Sequence, residues 1–446
     1  MKMSSESRRE FLKRGALLST LLLSSREAGA AETKLSMPSS KKRARIVIAG
    51  GGSGGIDLAH RIRRAAPNAR TILISPDTSH SYAAAEVFIA AGLYEKGSNV
   101  RAVESLLGDG IEWIEDRVES IEAKKQYLYC EKSGKVSYDI LIVAVGCEYD
   151  FEAIEGLKRE DIGKDGVCSL YMPEGGYLAS QWMRSIYSDA KKRELRVIFT
   201  LPETAVSGRG VSPDMLFLTM DMLRGRSPYG RDELSEKVKF TLSKAGTSLL
   251  GNAIFDHIVE KKIEASGFSS LDDNTLRAVD TGRKIAYFKS SSGKREYRYD
   301  YIHITPPMSA PSLIGDSSLA VEGEDGGWLD IDPETLRHRR YENIFGIGDV
   351  TSIRNKSGAA VRDQAIVIQD NIVAALEGER LPAKYRGYTA VPIRTRYGRE
   401  IMAEFDRDGF DTTLPLDPRE ERWLWWFIDL HLMPRLYFDM MLRGMM

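Results

Sequence analysis

The stretch Ile46-Val47-Ile48-Ala49-Gly50-Gly51-Gly52-Ser53-Gly54-Gly55 constrains this chain more than any other. Four apolar residues run into glycines spaced Gly50-x-Gly52-x-x-Gly55, and a helical pattern follows from Ile56 to Ala66. That is the strand–turn–helix setting in which a dinucleotide loop works. Gly50 is expected at the tight turn, and Gly52 where backbone must approach a pyrophosphate. Gly55 is expected where the helix packs on its strand, with the helix N-terminus toward the phosphates. A glycine-rich turn between unrelated elements carries the same letters, so the flanking strand and helix give the motif its weight.

A second strand is predicted at Thr71–Ile74. Dinucleotide folds place an acid after it to hold a ribose hydroxyl, but here Ser75 stands there, with Asp77 two residues on. A hydroxyl still offers one hydrogen bond. The segment Ile111–Ile121 adds a strand, and 126–131 with 135–138 reads as a hairpin leading into Ile140-Leu141-Ile142-Val143-Ala144-Val145-Gly146. A long way downstream, Asn343-Ile344-Phe345-Gly346-Ile347-Gly348-Asp349 is an apolar strand ending in Gly-Asp, and a helix is predicted at Arg362–Glu377. Its N-terminus would favour negative charge on a reduced flavin ring.

Between these halves lie a helix at Tyr177–Lys192 and a strand at 195–201. A nicotinamide site would place a second glycine fingerprint after that strand. The chain instead reads Pro202-Glu203-Thr204-Ala205-Val206-Ser207-Gly208-Arg209-Gly210, and Pro202 removes a backbone donor where phosphate needs one. A helix at Met215–Leu223, a strand at Val238–Leu242, a helix at Ile254–Ala265 and strands near 276–298 follow.

The N-terminus joins Arg8-Arg9-Glu10-Phe11-Leu12-Lys13 to an apolar core at Ala16–Leu23 and small residues at Ala28–Ala31. This pattern reads as a twin-arginine export signal. That route carries folded proteins, which suits a tightly held flavin better than a diffusible nicotinamide. A net charge of −1 gives no electrostatic case for nucleic acid. The three cysteines, Cys130, Cys147 and Cys168, form no Cys-x-x-Cys pattern, so no metal site is expected. With no run of about 18 apolar residues, no membrane-spanning helix is expected either.

With these residues in hand, the chain resembles the sulfide:quinone oxidoreductases, particularly the subgroup that includes the mitochondrial enzymes, from about residue 44 to its C-terminus. It is also similar to the flavocytochrome c sulfide dehydrogenase flavoprotein. The most specific stretches are His303-Ile304-Thr305-Pro306-Pro307-Met308, Thr335-Leu336-Arg337-His338-Arg339-Arg340-Tyr341, Ala403-Glu404-Phe405-Asp406, Asp429-Leu430-His431-Leu432-Met433-Pro434 and Met440-Met441-Leu442-Arg443-Gly444. The resemblance implies two Rossmann-like dinucleotide-binding domains, one FAD, and a C-terminal helical segment that meets the membrane and admits quinone. It places Gly50, Gly52, Gly55, Ser75, Gly146, Gly348, Asp349 and Lys356 around the cofactor, Lys356 beside the flavin pyrimidine edge.

One departure is serious. The family's two redox cysteines belong where this chain has Gly208 and Val391, and neither is a sulfur nucleophile. Sulfide capture through a protein disulfide therefore does not carry over. Cys168 and Cys147 are the weak candidates left on the donor side, each with the plainer reading of a small buried hydrophobe.

Residues 421–446 carry three tryptophans among aliphatics, methionines and arginines, which suits two short helices at a bilayer interface. The alternative is a core-packed or dimerising tail. The expected organisation is a signal at 1–31, a linker at 32–43, and an FAD-binding domain from 44–155 with 300–378. A second Rossmann-like domain covers 156–299, and 379–446 is an interface and membrane-associated region. The function expected is an exported, periplasmic, peripheral FAD-dependent oxidoreductase passing electrons from an unassigned donor, a sulfur species among the candidates, to quinone. The alternatives are a flavin dehydrogenase feeding a cytochrome, or a degenerate flavin-binding partner or assembly protein. A homo-oligomer is compatible with all three.

Overall fold

The computed structural model describes residues 38–323 and 326–446. The export signal expected at 1–31 and the first part of the linker, 32–37, lie outside the described residues.

Two parallel five-stranded sheets organise the chain. In the first, Ile344–Gly346, Ile140–Val143, Arg45–Ala49, Arg70–Ile74 and Ile111–Ile114 lie side by side in that order, all parallel. Ile46, Val47, Ile48 and Ala49 are fully buried, the near-continuous apolar run demanded of a parallel strand covered on both faces. The helices Ser53–Ala65 and Gly358–Glu377 pack against each other beside this sheet. The second sheet runs Val167–Cys168, Tyr301–His303, Leu195–Leu201, Val238–Lys244 and Ser269–Leu271, again all parallel. Its helices include Gly175–Ala190, Val211–Leu223 and Ala253–Ala265. Each half also carries a three-stranded antiparallel meander, at Val118–Ser137 and at Thr275–Arg298, inserted before the strand that returns beside the half's first strand.

Three expectations shift. The predicted single strand Ile111–Ile121 is two strands in different sheets, Ile111–Ile114 and Val118–Glu122, because the chain leaves the parallel sheet between them to start the meander. The strand Tyr301–His303, expected with the FAD-binding domain, hydrogen-bonds between Val167–Cys168 and Leu195–Leu201 and belongs to the second sheet. An isolated apolar strand followed by two prolines carries no mark of which sheet it joins. The C-terminal segment is a single irregular helical stretch, Trp423–Met441, in which ordinary turns alternate with wider π turns. Trp425 and Trp426 are buried and only Trp423 is exposed, so two of the three tryptophans anchor the segment to the body. Among the described residues no helix is long and apolar enough to cross a membrane.

Candidate cofactor and active site

The three glycines of the loop divide its work. Gly50 has φ +110, and a Cβ there would sit 2.3 Å from the Ala144 carbonyl oxygen, so only glycine closes the turn. A Cβ on Gly55 would lie 1.9 Å from the Gly50 oxygen, which lets the helix seat directly on the loop. Gly52, the N-cap, is extended, has no side-chain cap, and a Cβ there would meet nothing within 4 Å. Two glycines thus permit backbone packing, and the third leaves room at a helix N-terminus. That is a cradle suited to a pyrophosphate. At the end of the second strand, Ser75 is buried against the loop, its Oγ 2.6 Å from where a Cβ on Gly51 would stand. The site therefore keeps a small hydroxyl where an acid was expected.

The Gly-Asp motif comes to the same C-terminal edge of the sheet. Gly146 and Gly348 both have positive φ, +74 and +75, and the Gly348 N–H donates to Gln364 Oε1 at 2.8 Å. Asp349 follows, half-buried, with Cys147 Sγ at 4.0 Å from its Oδ2. Lys356 donates from Nζ to the carbonyls of Asp349, Thr351 and Ile353 at 2.7, 2.8 and 3.2 Å, and lies 3.9 Å over the Trp328 ring. Burial lowers its pKa to about 8, opposed by the nearby Asp349 carboxylate. The ammonium thus staples the loop behind Asp349, although the resemblance places it beside the flavin edge. Ser357 then caps the helix Gly358–Glu377, its Oγ accepting from Ala360 N at 3.1 Å.

A cavity of about 910 Å³ is lined by segments that follow strands of both sheets. Tyr149, Tyr171, Gly208, Gly358, Val391 and Arg394 are on its wall, so the two positions that lack sulfur face one space. Gly208 has φ +66 and its N–H donates to the Lys356 carbonyl at 3.0 Å, tying this wall to the Gly-Asp loop. Tyr171 Oη donates toward the carbonyls of Ser207 and Gly208, and Thr204 Oγ1 accepts from Met308 N at 3.0 Å. The segment 202–210 is thereby engaged with the protein itself, in keeping with the missing second fingerprint.

The cysteines are poor nucleophiles here. Cys168 is fully buried in the second sheet, paired in register with His303, and is not on the cavity wall. Burial pushes its thiol far up, and the same cause, reinforced by Asp349, raises Cys147. Cys130 is buried in the first meander, its thiol pushed up to about 11. All three are free thiols. Of the two candidates, only Cys147 stands beside the Gly-Asp motif.

Two groups of residues escape sequence reasoning. Arg394, on the cavity wall, ion-pairs with Asp214 and with Asp429 of the C-terminal segment, and Glu400 is fully buried beside them. Among the described residues no donor reaches either Glu400 carboxyl oxygen, and its side-chain partner is the Asp429 carboxylate, which it can hydrogen-bond only as the acid. Burial, reinforced by Asp429, holds the Glu400 carboxyl well above its ordinary range. Second, His80 Nε2 and Ser53 Oγ each lie 2.6 Å from the Tyr437 hydroxyl. Tyr437 is 384 residues from Ser53, and no spacing pattern links them.

Residues 44–193 match the family described as pyridine nucleotide-disulphide oxidoreductase. The mitochondrial sulfide:quinone oxidoreductase of Mus musculus is 30% identical over 415 residues, covering 91% of this chain and 87% of its own. This chain belongs to the sulfide:quinone oxidoreductase family. It is accordingly an oxidoreductase whose cofactor is FAD, and the loop geometry fits that cofactor. The fold agrees with the X-ray structure of the Aquifex aeolicus sulfide:quinone oxidoreductase at TM-score 0.70 and 18% identity, over 86% of this chain and 88% of that one. A chain in the cryo-EM structure of Tetrahymena thermophila mitochondrial ATP synthase shares the fold at TM-score 0.76 and 18% identity, covering 93% and 98%.

Proposed function

We propose that this protein is a peripheral membrane oxidoreductase that accepts electrons from a donor reacting directly at FAD and passes them to quinone. Gly50, Gly52, Gly55 and Ser75 hold the adenosine pyrophosphate half, and Gly146, Gly348 and Asp349 the ribityl side, with Lys356 bracing the loop that presents Asp349. The observation that carries the donor side is the shared cavity wall: Gly208 and Val391 face one space of about 910 Å³ whose lining includes no cysteine. A donor entering there meets no protein disulfide, and the raised thiols of Cys147 and Cys168 do not replace one. A small sulfur species is the donor class in keeping with the relatives' names. Quinone as acceptor follows from the same names. Exposed Trp423, Met440 and Met445 on the C-terminal segment support contact with a membrane surface. Residues 7–31 support delivery to the periplasmic face by the twin-arginine route.

A second reading, a flavin-binding partner without turnover, is favoured by the lost sulfurs. One experiment separates the readings. The mature protein is purified, its flavin absorbance recorded, and the flavin challenged anaerobically with sulfide, other sulfur donors and NADH, then with a quinone analogue or a cytochrome. Bleaching by a sulfur donor and recovery with quinone is the expected result. Flavin that no donor bleaches favours the partner reading. Rapid bleaching by NADH, or recovery with cytochrome alone, overturns the respective half of the proposal.

A further inference from the structure

The C-terminal segment reaches the glycine loop itself. Ser53 is the first residue of the helix that follows Gly52, and its Oγ is 2.6 Å from the Tyr437 hydroxyl. On its other side that hydroxyl is 2.6 Å from His80 Nε2. Both Tyr437 and His80 are buried, and the Tyr437 ring packs on Tyr82 at 4.5 Å between centroids.

Chemistry fixes the direction of this chain. His80 also hydrogen-bonds the Gly51 backbone, and burial lowers its pKa to about 4, so the imidazole is neutral near pH 7. A neutral ring donates through one nitrogen and accepts through the other. With Gly51 taking the donated proton, Nε2 accepts from Tyr437, and the Tyr437 oxygen is left to accept from Ser53. The Ser53 hydroxyl, beside the open space at Gly52, thus donates its hydrogen bond to a residue from the far end of the chain and anchors the helix start rather than donating to a phosphate itself. Further along the same helix, Arg64 Nη1 donates to the Arg443 carbonyl at 2.7 Å, and Arg61 and Arg64 also bind the carbonyls of Met446 and Gly444. The segment therefore lies along the helix from its first turn to its last.

We propose that Tyr437, steered by His80, is a positioning residue for FAD: by accepting the hydrogen bond of the Ser53 hydroxyl, the C-terminal segment fixes the first turn of the helix, whose backbone N–H groups are left to donate to the pyrophosphate, and so completes that site from outside the dinucleotide fold. The inference rests on FAD at the glycine loop and is independent of donor and acceptor. It makes the apolar C-terminal segment part of cofactor retention as well as a surface for a membrane.

The test is FAD binding by the whole protein, read from the rise in free-flavin fluorescence on dilution and from titration of the apoprotein with FAD. Removing one hydrogen bond to an oriented group, Tyr437→Phe is expected to weaken FAD binding about tenfold. Ser53→Ala is expected to match it, and the double variant to be no weaker than either alone, because both remove one linked unit. Unchanged FAD binding in Tyr437→Phe overturns the proposal, whatever happens to thermal stability. Additive losses in the double variant overturn it as well. Should Tyr437→Phe fail to fold, His80→Asn carries the same comparison with Ser53→Ala. None of these readouts depends on turnover, so failure of the quinone reading leaves the result interpretable.

Discussion

Replacing Glu400 with glutamine tests whether a buried proton is held beside the cavity. Asp214, Arg394, Glu400 and Asp429 are all buried, and one guanidinium faces three carboxyls. A buried site with two excess negative charges is costly, so Glu400, fully buried and able to hydrogen-bond the Asp429 carboxylate only as the acid, is the carboxyl that keeps its proton. Its folded pKa lies above that of the unfolded chain. The stabilisation is complete below the unfolded value and is lost as pH rises through the interval between the two. Each pH unit above about 4.3 over which only the folded protein keeps the proton costs about 1.4 kcal/mol. From pH 5 to pH 7 that amounts to at most about 2.7 kcal/mol. Glu400→Gln keeps the shape and carries no titration, so its stability advantage over the parent grows by up to that amount across the interval. Asp214, raised to about 6 by burial, adds a trend of the same sign to both proteins and cancels in the difference. The assay is urea unfolding followed by tryptophan fluorescence at several pH values between 5 and 7. Parallel curves for parent and variant refute the reasoning, because they mean Glu400 titrates alike in both states. Arg394→Met tests the other side, leaving the carboxyls without their cation at a cost of about 3–5 kcal/mol.

Three further outcomes follow from the site. Gly52→Ala places its methyl in open space, so the apoprotein keeps its thermal midpoint while FAD binding falls; Gly50→Ala and Gly55→Ala, 2.3 and 1.9 Å from backbone oxygens, are expected to lower the midpoint itself. Equal thermal losses in all three would contradict the division of roles. Cys147→Ser and Cys168→Ser are expected to bleach with the same donor, and at rates within about twofold of the parent, since their raised thiols supply little thiolate; loss of bleaching in Cys168→Ser would reinstate it on the donor side. Lys356→Met strips the charge from three loop carbonyls and is expected to destabilise the apoprotein by on the order of 3 kcal/mol by thermal or urea unfolding. An unchanged midpoint would mean the ammonium does not brace that loop.

What could be read from sequence tracks how local the determinant is. The loop at Gly50–Gly55 and the Gly-Asp motif at Gly348–Asp349 each rest on a strand and glycines within about ten residues, and both appear in the structure where expected. The helices Val211–Leu223, Ala253–Ala265 and Gly358–Glu377 extend slightly beyond their predicted starts, with Asn252 and Ser357 supplying side-chain caps to the last two. Sheet membership was less legible: Tyr301–His303 is three buried residues, and only its register with Val167–Cys168 and Leu195–Leu201 places it. The tryptophans of the C-terminal segment are ambiguous for a related reason. A stripe of aromatics has the same composition whether it faces lipid or core, and Trp426 meets the Phe88 ring at 5.5 Å. Lys356 was expected beside a flavin edge, and the direction its ammonium takes depends on the carbonyls of a loop no motif describes.

The two contacts that sequence could not supply converge on one element. Asp429 ties the C-terminal segment to Arg394 on the cavity wall, and Tyr437, eight residues on, ties it to Ser53 at the glycine loop. One and the same helical stretch therefore touches both Arg394 on the cavity wall and Ser53 at the glycine loop, while Trp423 and Met440 on it face outward. Displacing it at a membrane would act at both ends, loosening the Arg394 cluster and releasing the Ser53 hydroxyl. Added phospholipid vesicles should therefore alter FAD release in the parent protein and leave it unaltered in Tyr437→Phe. Identical vesicle effects in the two proteins would show that membrane contact and cofactor retention use separate parts of the segment.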